Sequence, residues 1–274
     1  MKTPTFPFDS LDLKQSRDRK PREIQWDELE PERLSAPLRA TLGEEWRARM
    51  VQEHLAVGAF AEITSELAQN GCDAIVLALA SRASSDEVRH ADVCGRIAMT
   101  MLGAPAVPRR LRGVPVIPPH VGSAPAERTL LHVVEMCCLS ETLTGIYLTE
   151  MLARTTNLGM RSAIEFLLED EIDHGRLGWA HLASAAREGR GGSVAAALPA
   201  MLERVVGPVM RAGETTSEAR SLAEGYGQID APEAARIFAA TLQNVILPGF
   251  ETVGIDSRAA RALVRHCGWR QVHG

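Results

Sequence analysis

The chain has 274 residues, a formal net charge of −5, and a composition that is 45% hydrophobic but only 4% aromatic. This length is enough for one large core with accessory elements, and Ala- and Leu-rich segments without strand alternation predict an all-α fold. The acidic balance leaves no basic face, so we expect neither nucleic acid nor a membrane as a partner.

The first segment, residues 1–35, is predicted to be a proline-rich N-terminal arm outside the core, because four prolines lie among charged residues: Pro4, Pro7, Pro21 and Pro31. From residue 36 onward the pattern is helical. A first long helix is predicted from about Pro37 to Asn70, where an Asn-Gly pair favours a left-handed cap. A second is predicted from about Asp73 to Leu102.

Six prolines between residues 103 and 127 exclude a helix there and predict a long crossover connection. A third helix is predicted over about residues 127–154, and a fourth from about Met160 to Glu188. Two helical hairpins joined by one crossover form a four-helix bundle, which we place in residues 36–190. Residues 191–274 are predicted to be a helical appendage packed on this bundle, with helices near 194–212, 216–226, 232–246 and 256–266.

The most informative motif is Asp-Glu-x-x-His, which occurs twice, at residues 86–90 and 170–174, in the second and fourth predicted helices. Because positions i and i+3 share one helix face, each copy presents a carboxylate and an imidazole toward the same point. One copy is weak evidence for a metal site, since Glu is a common helix former. Two copies in matched helices predict a site for a pair of metal ions.

Such a dinuclear site needs one further carboxylate from each of the other two helices. In an antiparallel hairpin, residues equidistant from the turn lie at the same height. With the first turn at Asn70, Glu53 is level with Glu87, whereas Glu62 would lie about 13 Å too low at ~1.5 Å per residue. Apolar residues at helical spacing around Glu53 also turn it toward the core.

The same argument applies to the second hairpin. With the turn at Thr156, Glu141 is level with Glu171, which makes Glu141 the preferred ligand from the third helix. Glu135 is the rival candidate, and it requires a turn near Ala153, among residues that favour helix. The choice between the two glutamates stays open at the level of sequence.

The predicted metal ligands are four carboxylates and two imidazoles: Glu53, Glu87, His90, Glu141, Glu171 and His174. No catalytic residue is predicted beyond these ligands. Their charge matches two divalent cations, and without metal the burial of these carboxylates would be costly and would raise their pKa values. Asp86 and Asp170 are expected to accept the free imidazole N–H of the histidine across the bundle.

Small residues near the ligands predict either a cavity or a close approach of helices. Thr144 and Gly145 follow Glu141, and Gly178 follows His174 by one helical turn. Glycine inside a helix costs ~1 kcal/mol relative to alanine, so its presence calls for a reason. A pocket for substrate or oxygen and simple helix packing explain these residues equally well.

Over about residues 45–186 these motifs resemble the ferritin-like di-iron carboxylate superfamily. That superfamily includes ribonucleotide reductase small subunits, bacterial multicomponent monooxygenase hydroxylases, arylamine N-oxygenases, rubrerythrins and ferritins. The resemblance implies a ferritin-like four-helix bundle that holds two Fe ions, with Mn or a mixed Mn/Fe pair as the other options. Cys94 stands where the reductase subunits carry their radical tyrosine, and the chain lacks the C-x-x-C motifs of rubrerythrin.

We therefore expect a di-iron oxygenase or oxidase that acts on a small organic substrate, as in biosynthetic tailoring. Because no flavin or nicotinamide fingerprint is visible, the electron donor should be external. The alternatives are a di-manganese, catalase-like hydroperoxidase and a non-enzymatic, ferritin-like iron-binding protein. Apolar segments in the appendage and the flat faces of helical bundles also predict a homodimer.

A cytoplasmic location is expected from the termini and the cysteines. The first four residues lack the apolar core of a signal peptide, and no stretch of about 20 uncharged apolar residues occurs. The five cysteines are odd in number and have no C-x-x-C spacing, which favours reduced thiols over a disulfide framework or a structural zinc site.

Overall fold

A computed structural model describes residues 23–105, 120, 123–215 and 222–269. Within these ranges the regular secondary structure is helical, with one isolated antiparallel bridge between Thr155 and Tyr226. The predicted all-α class is thus confirmed for the described part of the chain. Residues 1–22 of the predicted arm and most of the predicted crossover lie outside the described ranges.

Four long helices form the centre of the molecule: α1 (Ala36–Asn70), α2 (Ala74–Leu102), α3 (residues 125–154) and α4 (Leu158–Arg187). Their ends lie within two residues of the predicted positions. Helix α1 packs along α2, and α3 packs along α4, each pair being joined by a three-residue connection. Helix α2 also packs on α4, and α1 on the first part of α3, so the two antiparallel pairs lie side by side.

The connections between paired helices follow from local chemistry. Gly71, with a φ of 82°, ends α1 in the left-handed region that glycine adopts without strain. Asn157 begins α4, because its side chain accepts a hydrogen bond of 2.8 Å from the backbone N–H of Met160. These two short turns set the relative heights of the paired helices.

Helix α3 is not a regular α-helix. It consists of an α-helical part (Pro125–Val133), a π-helical segment (Val134–Glu141) and a second α-helical part (Thr142–Arg154). The π-helical hydrogen bonds run from i to i+5 and widen each turn. Gly178 of α4 lies against this segment, and a Cβ there would stand 2.5 Å from Cβ of Cys137 and 2.8 Å from its carbonyl carbon. Gly178 therefore permits a close helix approach.

The C-terminal helices are α5 (Gly192–Val205), α6 (Gly207–Thr215), α7 (residues 231–252, with a π-helical stretch at Leu242–Ile246) and α8 (Arg258–His266). The helix predicted at 194–212 is divided at Val206. Residues 216–221 of the helix predicted at 216–226 lie outside the described ranges, and the rest is not helical. Gly225 and Gly227 have φ of 79° and 76°, which an α-helix cannot accommodate.

These C-terminal helices share a hydrophobic core with α3 and α4, in which Leu139, Leu182, Leu198 and Phe250 are fully buried. No single helix in the described ranges is long and apolar enough to cross a membrane. Only the bent pair Gly192–Val205 and Gly207–Gly213, taken together, meets those criteria of length and composition.

The described end of the predicted arm packs on the chain's own long helices. It contains two 3₁₀ turns, Trp26–Glu28 and Pro31–Arg33. The side chain of Asn157 donates a hydrogen bond of 2.8 Å to the carbonyl oxygen of Glu28, and the hydroxyl of Tyr226 donates one of 3.0 Å to that of Leu29. Residues 23–35 thus cover the start of α4.

The close contact at Gly178 predicts a stability difference between two glycine substitutions. Gly178→Ala is expected to lower the free energy of unfolding by about 1–3 kcal/mol, because the new methyl group meets backbone atoms of the π-helical segment. Gly145→Ala is the matched control, since a Cβ at Gly145 has no heavy atom within 4 Å. This control should be neutral or stabilising by up to ~1 kcal/mol. Urea unfolding measures both, and equal effects would contradict the packing described.

Candidate metal centre

The structure brings six side chains from all four long helices together in the interior: Glu53, Glu87, His90, Glu141, Glu171 and His174. They form two overlapping groups of four, and within each group the donor atoms lie within 4.8 Å of one another. Glu53 and His90 belong to one group, and Glu141 and His174 to the other. Glu87 and Glu171 belong to both, so the two groups could hold two metal ions on either side of the shared glutamates.

Both histidines turn Nδ1 toward the shared glutamates. Nδ1 of His90 lies 3.4 Å from Oε1 of Glu171 and 3.6 Å from Oε2 of Glu87. Nδ1 of His174 lies 3.1 Å from Oε1 of Glu87 and 3.3 Å from Oε2 of Glu171. One imidazole nitrogen on each side thus faces Glu87 and Glu171, the two glutamates that belong to both groups.

The other imidazole nitrogens face aspartates of the opposite helix. Nε2 of His90 lies 3.4 Å from Oδ2 of Asp170, and Nε2 of His174 lies 3.3 Å from Oδ2 of Asp86. An imidazole that donates Nε2–H to a carboxylate keeps its Nδ1 lone pair available toward the centre. The crossed His–Asp pairs therefore keep Nδ1 of both rings turned toward Glu87 and Glu171, where a metal ion could bind.

Two arginines that were not predicted from sequence hold these aspartates. Arg89 donates hydrogen bonds to both, at 2.6 Å to Asp86 and 3.0 Å to Asp170. Arg82 donates to Asp86 at 3.2 Å and to Asp173 at 2.6 Å. Both arginines lie on α2 one turn from Asp86, and this spacing is the sequence signal that could have identified them.

Several polar atoms of the cluster have no hydrogen-bond partner within the described part of the chain. They are both carboxylate oxygens of Glu87, Oε2 of Glu171, and Nδ1 of His90 and of His174. A buried polar atom without a partner costs roughly 1–3 kcal/mol, so five at one point call for an explanation. Carboxylate oxygens and imidazole nitrogens are ligands for divalent iron, manganese and zinc, and the orphaned atoms fit such a pair of cations.

In the metal-free cluster the pKa shifts distinguish the outer carboxylates, Glu53 and Glu141, which each belong to one group, from Glu171, which belongs to both. Burial, with the nearby charges of Glu171 and Glu87, raises the pKa of Glu53 from 4.5 to about 8. Burial and the proximity of Glu171 likewise raise the pKa of Glu141 well above its ordinary value. Although burial opposes it, a hydrogen bond with Glu141 and the proximity of the two imidazoles hold the pKa of Glu171 well below its usual range. The outer carboxylates thus carry protons that metal binding would displace.

Glu135, the rival of Glu141, lies outside the cluster. It accepts two hydrogen bonds of 2.7 Å from Arg204 and lies 3.1 Å from Nε2 of His120. The π-helical segment lies between Glu135 and Glu141, so a face count for a regular α-helix does not apply there. The structure places Glu141, not Glu135, beside Glu171.

A cavity of about 500 Å³ adjoins the cluster and reaches Glu53, Glu141 and Glu171. Its walls are mainly apolar, with Leu42, Trp46, Met136, Met151 and Ile229, and its polar lining includes Arg49, Thr144 and Tyr147. Of the three residues predicted beside a cavity, Thr144 lines it. Gly145 and Gly178 do not, and Gly178 instead contacts the π-helical segment.

A separate group of possible ligands lies near the C-terminal end of α1: Glu62, Glu66 and His132. Glu66 is engaged there, because it accepts a hydrogen bond of 3.0 Å from Arg128 and lies 2.7 Å from Nδ1 of His132. Glu62 is exposed. Both carboxylate oxygens of Glu66 are thus already paired within the chain, unlike the orphaned oxygens of Glu87.

Comparisons with known proteins identify no relative of this chain. Neither a protein-family model, nor a curated protein, nor a solved structure gives a significant match to this chain. What is known of the site therefore comes from the arrangement of its own residues.

The geometry predicts a stoichiometry of two divalent metal ions per chain. His90→Ala and His174→Ala should each lower the metal content, because each removes the one imidazole of its group. His181→Ala is the matched control, since His181 is another buried histidine of α4 but belongs to neither group. Elemental analysis after dialysis measures the content. Retention of two ions by both ligand variants would contradict the assignment.

The raised pKa of Glu53 predicts that the metal-free protein loses stability as the pH rises from about 4.5 to 8. In this window the folded state keeps a proton that the unfolded state releases, so the free energy of unfolding falls with pH. Although burial opposes it, the neighbouring carboxylates raise the pKa values of His90 and His174. These two imidazoles therefore also lower the free energy of unfolding as the pH rises above 6.5.

Urea unfolding of metal-free protein across this range measures the effect. Glu53→Gln should flatten the pH dependence by on the order of a few kcal/mol. Glu44→Gln, at an exposed position on the same helix, should leave the dependence unchanged. A pH-independent stability of the metal-free wild type would overturn the electrostatic description.

Proposed function

We propose that the chain is a ferritin-like di-iron oxygenase or oxidase that uses dioxygen to oxidise a small organic substrate. The observation that carries this proposal is the pair of overlapping Glu/His groups, buried and joined to a cavity of about 500 Å³. The two antiparallel helix pairs, α1–α2 and α3–α4, are compatible with the ferritin-like four-helix bundle, which we propose as the fold.

The proposed iron ligands divide into two terminal sets and a shared pair. Glu53 and His90 would hold one ion, Glu141 and His174 the other, and Glu87 and Glu171 would contact both. A pair of ferrous ions bound there would supply the capacity to activate dioxygen. The charge of four carboxylates then balances two divalent cations, which offsets the cost of burying the carboxylates.

The chain's own residues would orient the ligands and exclude water. The crossed contacts of His90 with Asp170 and His174 with Asp86 hold the imidazole rings in place. The ring of Phe60 is fully buried and lies 4.9 Å from that of His174, between centroids. Phe60 thus covers the His174 side of the site with an apolar ring, and charge interactions are stronger where water is excluded.

The cavity is the reason to favour an organic substrate. Its volume falls within the range of small-molecule sites, ~300–1,000 Å³. Three of the six proposed ligands line it, so a molecule inside it would lie next to the reactive centre. Hydrogen peroxide disproportionation or iron storage requires access only for peroxide or iron, and an apolar space of this size serves neither.

Dioxygen uptake tests the proposal. Protein loaded anaerobically with ferrous iron should consume dioxygen on mixing with aerated buffer, as recorded with an oxygen electrode. His90→Ala and His174→Ala should reduce the rate at least ~10-fold, whereas His181→Ala should retain it. Absence of uptake by iron-loaded wild type would contradict the proposal. Rapid peroxide disproportionation by manganese-loaded protein would favour the hydroperoxidase, and cage-sized assemblies with large iron loading would favour storage.

A further inference from the structure

Arg49 is a charged residue of the cavity wall that no metal-ligand role explains. It lies on α1 one turn before Glu53, and only 20% of its side chain is exposed. Its guanidinium carbon lies 5.8 Å from the ring centroid of Trp46 and 5.7 Å from that of Tyr147. Two aromatic rings therefore hold the cation beside the cavity.

The guanidinium makes little use of its hydrogen-bonding capacity. Of its neighbours in the described part of the chain, Met151 contributes a sulfur 3.9 Å from Nη2, and Glu53 an oxygen 3.6 Å from Nη1. Sulfur is a weak acceptor, and 3.6 Å is too long for a good hydrogen bond. An arginine carries five N–H donors in a planar fork, so most of them stay available to a ligand.

Metal binding would reduce the negative charge that faces Arg49. Under the proposed function the charge of Glu53 is balanced by the metal pair, which weakens its attraction for Arg49. Glu45, another acid of the cavity wall, accepts a hydrogen bond of 2.6 Å from Gln228. In a cavity with mainly apolar walls, a guanidinium whose N–H donors are poorly used attracts an anion, and its fork matches a carboxylate.

The remaining lining limits the ligand to a single negative charge. Among the described residues that line the cavity, Arg49 is the one basic residue, whereas Glu45, Glu53, Glu141 and Glu171 are acidic. A phosphate ester with two charges would meet acids on the other walls. The apolar residues Leu42, Trp46 and Met136 suit an apolar body.

We propose that the cavity binds an apolar monocarboxylate whose carboxyl group is held by Arg49. This inference rests on the proposed function, because it places that molecule next to the metal centre as its substrate. Arg49 is then a substrate-binding residue that selects for a terminal anion, while the apolar walls accept the rest of the molecule.

Calorimetric titration of the iron-loaded full-length chain with 4-phenylbutanoate and with its uncharged amide, 4-phenylbutanamide, tests the inference. The wild type should prefer the carboxylate by roughly 10-fold or more, as expected for a charge-assisted hydrogen-bonded pair. Arg49→Gln should abolish the preference, because it weakens carboxylate binding more than amide binding. Arg49→Lys, which keeps the charge without the fork, should retain part of it.

Arg47→Gln is the matched control, because Arg47 lies on the same helix, pairs with Glu44 and does not line the cavity. It should keep the full preference. Equal binding of the two probes by wild type, no binding of the carboxylate, or an unchanged preference in Arg49→Gln would each overturn the inference. If Arg49→Gln does not fold by thermal melting, a full preference in Arg49→Lys overturns it.

Iron content and dioxygen uptake, measured on the same samples, report separately on the proposed function. A sample with two ions and oxygen uptake but no preference for the carboxylate would contradict the inference alone. A sample with fewer ions and no uptake would contradict the proposed function, whatever its ligand preference.

Discussion

The burial of four carboxylates at one point in a helical core is the constraint on which the rest of the structure depends. Like charges at this distance repel, and their removal from water costs several kcal/mol each. In the metal-free chain, protons on the outer carboxylates and the two imidazoles compensate this cost, as the raised pKa values of Glu53 and Glu141 indicate. Divalent cations would compensate it more completely, because they also satisfy the orphaned atoms of Glu87 and Glu171.

The two sides of the cluster serve different purposes. On the α2–α4 side, Arg82 and Arg89 join the aspartates behind the histidines into one network and fix the imidazole rings. On the α1–α3 side the cavity opens, lined chiefly by residues of these helices together with Gln228 and Ile229. One side thus holds the two histidines by hydrogen-bonded aspartates, and the other has a cavity beside the cluster, with Arg49 on its wall.

Much of this arrangement could be predicted from sequence, because it depends on local rules. The i, i+3 spacing puts each Glu and His on one face, and short turns make Glu53 level with Glu87. The π-helical segment could not be predicted, since no local spacing in residues 134–141 indicates it; for Gly178, which lies against it, the sequence favoured a cavity and close helix packing equally. The place of Arg49 in the cavity wall could not be predicted either, because Tyr147 and Met151, which contact it, lie on a helix distant in sequence.

The most direct test of the central claim is anomalous diffraction from crystals of the iron-loaded chain, recorded at the iron absorption edge. The account predicts two anomalous peaks about 3.5–4 Å apart, with Glu87 and Glu171 between them, Glu53 and His90 at one, and Glu141 and His174 at the other. A single peak, or iron bound instead at Glu66 and His132, would contradict it.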